Sequence, residues 1–240
     1  MPLPVMRPFR VVSNTPLADE TFELRLTPND GAPLFSFQAG QWVMLHLLNE
    51  DGSSWGKAAF SISNAPCEAK EEIDLAIKVH GDYTKRAQTL KAGDVVNVQG
   101  PYGAFVLRPS TEPLVLFAGG IGITPMRSML RQVLLSGESR RVVLFYSNRT
   151  RSMTAYEQEL RDLAKTHPQF TVVFFATQEQ ADGWDGICGR IDGARVQSVL
   201  TDVVNNDYCM CGPSPFMDAI KDMLSGLGVD VKAKLRKELF

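Results

Sequence analysis

Along the first hundred residues, apolar positions alternate with their neighbours at a period of two. Phe22, Leu24 and Leu26 have this spacing, as do Val43, Leu45 and Leu47, and each set describes a strand with one buried face. Further strands are expected over residues 9–12, 59–63, 73–79, 95–98 and 105–107. Turn chemistry separates them: Asn29-Asp30-Gly31, Ala39-Gly40, Asp51-Gly52, Gly93-Asp94 and Gly100-Pro101-Tyr102-Gly103. Short strands at this spacing predict a small antiparallel barrel, closed or nearly closed. One helical stretch, 84–90, interrupts them directly after Gly81-Asp82-Tyr83. With Thr84 as its N-cap, it reads equally as an anion site or as a barrel plug.

The pattern changes after residues 108–113, which carry two prolines among small or polar neighbours and read as a hinge between a domain over 1–109 and one over 110–240. Beyond it, strands at 114–118, 142–146, 170–176 and 208–211 alternate with helices at 125–136, 154–165, 193–200 and 215–224. A closing strand is expected within 229–240. This order predicts a doubly wound parallel sheet, an α/β domain behind an all-β one.

The most informative stretch is L-V-L-F-A-G-G-I-G-I-T-P, Leu114 to Pro125. A buried strand runs into Gly119-Gly120 and Gly122, then into a helix with Thr124 as N-cap and Pro125 in its first turn. Gly137 ends that helix. Glycines admit a ligand to the backbone, and a helix N-terminus offers free N–H groups to a pyrophosphate. A tight turn that needs glycine for geometry alone gives the same signal. A second strand-to-helix turn, Cys211-Gly212-Pro213-Ser214-Pro215, offers Ser214 as N-cap. It is expected beside the first turn, at the sheet's carboxyl edge.

Composition narrows the class without naming it. The chain has 240 residues, 44% hydrophobic and 22% charged, with a formal net charge of −2. That balance makes no electrostatic case for nucleic acid or anionic membrane. No apolar run reaches the ~18 residues of a membrane span, and the first residues lack the pattern of a signal peptide, so a cytoplasmic protein is expected. Cys67, Cys188, Cys209 and Cys211 form no C-x-x-C pair, and His46, His80 and His167 show no ligand spacing. No metal site and no cysteine-ligated cluster is expected.

Taken in order, the motifs resemble the ferredoxin–NADP reductase-like flavoprotein oxidoreductases, a superfamily that includes flavin reductases and oxygenase reductase components. The resemblance covers essentially the whole chain. Ala58-Ala59-Phe60-Ser61 is similar to the flavin strand R-x-[YF]-[ST]. Ile77-Lys78-Val79 with Gly81, Tyr83 and Thr84 resembles the segment that binds the flavin's ribityl-pyrophosphate part. Gly100-Pro101-Tyr102-Gly103-x-Phe105 is similar to the G-P-x-G-x-F turn. Gly119, Gly120, Ile121, Gly122, Thr124 and Pro125 match the nicotinamide-dinucleotide loop, joined by Ser147, Asn148 and Arg149 at the end of the next strand. Cys211, Gly212 and Pro213 match the turn facing the nicotinamide, and Glu238-Leu239-Phe240 the chain ending of plant-type members.

The resemblance implies that Ser61 hydrogen-bonds flavin N5, that Phe60 packs on the ring and that Phe240 shields it. It also implies that Cys211 crowds the nicotinamide and that Glu238 relays protons or tunes the flavin. Two departures stand out. The family arginine is Ala58 here, with Lys57 on the opposite face of an unbroken strand, so flavin is held weakly, is FMN rather than FAD, or behaves as a substrate. Ser147-Asn148-Arg149-Thr150-Arg151 carries no acid for a ribose hydroxyl, which leaves NADH and NADPH both open. The expected activity is hydride transfer from NAD(P)H to FAD, with electrons passed to a separate redox protein. The alternatives are a free flavin reductase, a subunit active only in a larger complex, and a nucleotide-binding protein that has lost flavin.

Overall fold

The computed structural model describes residues 4–179 and 183–239. The first half is an antiparallel six-stranded sheet of β1 (Met6–Ala18), β2 (Thr21–Pro28), β3 (Trp42–Leu48), β4 (Ser54–Ser61), β5 (Ile73–Lys78) and β6 (Val95–Tyr102), in the order β4-β3-β6-β1-β2-β5. Its alternating apolar set faces inward: Val11, Leu24, Leu45, Leu75 and Val98 share one buried cluster. The sheet curls until its two edges meet just beyond β4, where the Ser63 N–H donates to the Asp74 carbonyl of β5 at 2.8 Å. Helix α1 (Gly81–Gln88) lies over the barrel and contributes Ala87 to its core.

The second half is a parallel sheet of β7 (Leu114–Gly119), β8 (Val142–Asn148), β9 (Phe170–Ala176), β10 (Ile187–Cys188), β11 (Asp207–Cys211) and β12 (Leu235–Glu238), in the order β10-β9-β8-β7-β11-β12. Leu114, Leu116 and Ala118 pack on α2 (Ile123–Leu135) and α3 (Glu157–Thr166). Val115 and Phe117 face away from them, toward α4 (Gly193–Val199) and α5 (Ser214–Gly226). A one-turn helix, α6 (Val231–Lys234), leads into β12. A strand buried on both faces reads as a near-continuous apolar run, which is why β7, buried at all its positions, stands out in the sequence. The layer under α2 also takes in Ala39, Ala76 and Phe105 from the barrel half, so the two halves share one core.

Several expected elements differ. Residues 105–107 are not a strand: after Gly103 (φ +101) the chain leaves the barrel, and the Leu107 N–H donates instead to the Ala39 carbonyl. None of the three expected hydroxyl caps is one. Helix α1 starts at Gly81 (φ +73), so Thr84 lies within it; its hydroxyl accepts from the His80 N–H and donates to the His80 carbonyl. Helix α2 starts at Ile123 behind a 3-10 turn, Gly120–Gly122, and the Thr124 hydroxyl donates back to the Ile121 carbonyl at 3.1 Å. Ser214 is the first residue of α5, with Pro213 as its cap residue. In each case the preceding glycine or proline sets the turn through the backbone, so no side-chain cap is used. Helix α3 begins three residues beyond the expected 154, after Tyr156 takes the left-handed conformation (φ +62).

Candidate functional site

Two strand-to-helix turns meet at the carboxyl edge of the parallel sheet. Strands β7 and β11 pair with Ala118 opposite Cys211, so the Gly119–Gly122 turn lies against Cys211-Gly212-Pro213. The glycines there serve two purposes. A Cβ on Gly122 would fall 2.5 Å from the Cys211 carbonyl carbon and 2.9 Å from the Gly212 nitrogen, and a Cβ on Gly119 or Gly212 would fall 2.9 Å from the Phe216 ring. These three glycines let the turns touch. Gly120 differs: its φ is +56, a Cβ there would meet open space, and it lines a cavity. Its backbone is therefore open to the cavity.

That cavity, of ≈ 430 Å³, spans both halves of the molecule. Gly119, Gly120, Ile121, Ser147, Asn148, Arg149 and Pro213 of the expected nucleotide set line it. Gly122, Thr124, Pro125 and Cys211 are buried behind that wall. Gly212 is also buried, beside Phe216. Asp19, Thr21 and Lys78 supply the wall from the barrel. Lys78, expected on the flavin side, therefore faces this cavity, and its ammonium lies 3.5 Å from Glu20. Thr177, Gln178, Arg190 and Phe216 also line it; no sequence motif marks them, because they arrive from three separate loops and helices.

On the barrel, Ser61 ends β4 opposite Trp42. It is 2% exposed, and its hydroxyl finds no hydrogen-bond partner among the described residues. Phe60 stacks on Tyr83 of α1 at 6.0 Å and 29°. The Tyr83 hydroxyl donates to the Leu45 carbonyl at 2.6 Å, and its ring lies over Gly56. Trp55 flanks Tyr83 at 6.0 Å, and the Arg86 guanidinium sits 4.6 Å above Trp55; neither residue was marked by the sequence. Ala58 pairs with Leu45 and Lys57 with His46, so these two side chains leave opposite faces, as strand geometry requires. Ala59 is exposed on the same strand. Ile77 is in the barrel core, with Val79 packed against it. Gly81 opens α1.

Strand β12 brings Glu238 into register with Cys211. Burial, reinforced by the Glu238 carboxylate, raises the Cys211 thiol well above its usual range and so favours its neutral form. Burial also raises Glu238, whose Oε2 is buried without a partner among the described residues. Phe240 lies outside the described residues. A carboxyl whose folded-state value is raised favours the fold while protonated. That contribution is present at acid pH and is lost as the pH rises through the raised value. Glu238→Gln is therefore expected to gain stability relative to the native chain as the pH climbs from about 4 to about 7, measured as Tm across that range.

A buried hydroxyl and carboxylate oxygen left unpaired each cost about 1–3 kcal/mol, and such atoms fit the polar edge of a bound ring. The open glycine turn, with Ser147 and Arg149 beside it, fits a dinucleotide. Among the described residues no cluster suits a metal ion, and no helix is long and apolar enough to cross a membrane.

A barrel and a doubly wound parallel sheet thus meet around this cleft. The chain belongs to the ferredoxin–NADP reductase-like superfamily of flavoprotein oxidoreductases: residues 8–107 match the oxidoreductase FAD-binding domain and residues 116–222 the oxidoreductase NAD-binding domain. It is 30% identical to the flavohemoprotein of Rhizobium meliloti over 98% of this chain and 60% of that one. It is 34% identical to the reductase component of phenol 2-monooxygenase from a Pseudomonas species, over 76% of this chain and 52% of that one. It thus spans little more than half of these relatives. The FAD/NAD-binding domain of the Vibrio cholerae nitric oxide dioxygenase superposes with a TM-score of 0.87 at 24% identity, covering 98% of both chains.

Proposed function

We propose that this chain is an NAD(P)H-dependent flavin reductase that passes electrons to a separate acceptor protein in the cytoplasm, its flavin and nucleotide units dividing near residue 109. The observation that carries the reading is the cavity whose nucleotide turn, Gly119–Ile121, faces Thr21 and Lys78 of the barrel. That arrangement supports a nucleotide site bordered by both halves. Ala59, Phe60 and Ser61 hold the flavin ring from β4, while Gly81 and Tyr83, with the main chain of Ile77–Val79, hold its ribityl-pyrophosphate part. The Ile77 side chain is in the core, Lys78 faces the nucleotide cavity and the Thr84 hydroxyl is taken up by His80. Bound there, FAD supplies a centre that accepts a hydride from the reduced nicotinamide and releases electrons onward.

The chain's own residues orient and shield. Gly120 and the N–H groups of the turn take the pyrophosphate, Ser147, Asn148 and Arg149 take the adenosine end, and Pro213 bounds the nicotinamide end. Cys211, neutral and buried behind Pro213, fixes the shape of that wall. The Ser61 hydroxyl donates to the ring edge, and Glu238, its carboxyl raised by burial, lies in register with Cys211 on the neighbouring strand. One relative is the reductase component of a monooxygenase, which supports a separate acceptor here.

A second reading, flavin as a diffusible substrate, is favoured by Ala58, since Arg86 is committed to the Leu48 carbonyl (2.9 Å) and to Trp55. Steady-state reduction of ferricyanide by NADH and by NADPH, with FAD, with FMN and with neither added, tests both. Activity retained without added flavin supports the bound-flavin reading. Activity that saturates with free flavin supports the second reading. Absence of nucleotide-dependent reduction under every condition contradicts both.

A further inference from the structure

Helix α2 begins at the nucleotide turn, and four of its side chains reach across the seam to the segment that follows the flavin strand. Arg127 Nη1 donates to the Ser63 carbonyl at 3.1 Å, and the Ser128 hydroxyl donates to the Asn64 carbonyl at 2.7 Å. Gln132 accepts from the Cys67 N–H at 3.0 Å, and Arg131 Nε donates to Glu68 at 2.7 Å. Arg127 is only 7% exposed. Its Nε and Nη2 form a fork on Glu159 of α3, each at 2.9 Å, and Asp74 of β5 lies 3.6 Å from Nη1.

The guanidinium also lies 4.2 Å above the ring of Tyr156. The Tyr156 hydroxyl donates to Glu23 of β2 at 2.7 Å and sits 3.3 Å from the Ser63 hydroxyl. Tyr156 takes a left-handed backbone that a non-glycine residue adopts at a cost. Ser63 is thus gripped at both its carbonyl and its hydroxyl, two residues beyond Ser61. Arg127 itself is three residues beyond Thr124 at the nucleotide turn.

Anchoring two halves of a protein needs only buried apolar area, which the shared core already provides. The fork on Glu159, within the nucleotide half, fixes the guanidinium so that Nη1 points at the Ser63 carbonyl across the seam, and that directed bond adds register to the anchoring. Resting on the reductase reading above, we propose that Arg127 is a positioning residue, which ties the helix carrying the nucleotide turn to the strand ending at Ser61 and so sets the approach of nicotinamide to flavin. Reaction rates respond steeply to such register, because a misplacement of about 1 Å can lower a rate about 100-fold.

The test is anaerobic single-turnover reduction of the FAD-loaded full chain at saturating nucleotide. Arg127→Lys keeps the charge and loses the fork. Its limiting reduction rate is expected to fall at least about tenfold, with flavin content unchanged and nucleotide Kd within about threefold. Ser128→Ala, which removes one bond and no charge, should lower the same rate less, and it decides the matter if Arg127→Lys does not fold. Val196→Ala, a core truncation on the far face of the sheet, should lower Tm with the rate unchanged, which separates register from stability. Folded, flavin-loaded Arg127→Lys and Ser128→Ala chains that are reduced at the native rate would overturn the proposal. A native chain reduced by neither nucleotide would instead overturn the reductase reading, and this proposal with it.

Discussion

Gly122→Ala is expected to destabilise the fold by about 3 kcal/mol and to abolish nucleotide binding. The added methyl would meet the Cys211 carbonyl and the Gly212 nitrogen, which are main-chain atoms held by strand pairing and unable to swing aside. The two turns would have to separate, and the nucleotide cavity is built on their contact. Gly120→Ala is the informative contrast. Its methyl meets open space, and the left-handed backbone (φ +56) costs about 1 kcal/mol for a non-glycine residue. That variant should fold with a modest loss and yet bind NAD(P)H more weakly, since Gly120 lines the cavity. Denaturant midpoints paired with nucleotide titrations check both. Equal stability losses at the two positions would contradict the division between packing and ligand-facing glycines.

Ser61→Ala is expected to lower the flavin-reduction rate about tenfold to 100-fold while leaving the flavin-free chain as stable as the native one, or more so. The reason is the unpaired hydroxyl. Removing a buried group that has no partner relieves a desolvation cost, whereas removing one that a ligand satisfies forfeits a bond. The same substitution should therefore raise or preserve Tm without FAD and reduce the increment in Tm that FAD confers. Thermal melts with and without FAD, alongside single-turnover reduction, read out both effects. A loss of Tm in the flavin-free chain would show that Ser61 has a structural partner.

The parallel half was the more legible in sequence. Strand β9 occupies Phe170–Ala176, the residues marked by its run of mainly β-branched and aromatic side chains, polar only at Thr171. Strand β1 runs over 13 residues where only 9–12 were marked. Its register shifts between Val11 and Ser13 and again between Pro16 and Ala18, and each shift resets the period-two pattern. The two-residue β10 is too short to leave a pattern at all.

At the site, the glycine turn and the Cys-Gly-Pro turn were readable as motifs, as was Ser61. Which glycine faces a ligand and which admits a neighbouring strand was not readable, since that depends on what lies opposite. Arg190, Gln178 and Trp55 escaped for the same reason: each reaches its surroundings through tertiary proximity. The Arg127 network escaped more completely, because Ser63, Glu159 and Glu23 are brought to it from both halves of the chain.

The most direct test of the account is a stoichiometric anaerobic titration of the FAD-loaded chain, followed by visible absorption, with NADH in one series and NADPH in the other. The account predicts that the oxidised-flavin band bleaches with one equivalent of at least one nucleotide. It also predicts that the Ser61→Ala chain bleaches to the same endpoint at a lower rate. An oxidised-flavin band that persists through excess of both nucleotides would contradict it, and would leave the cleft as a binding site without transfer.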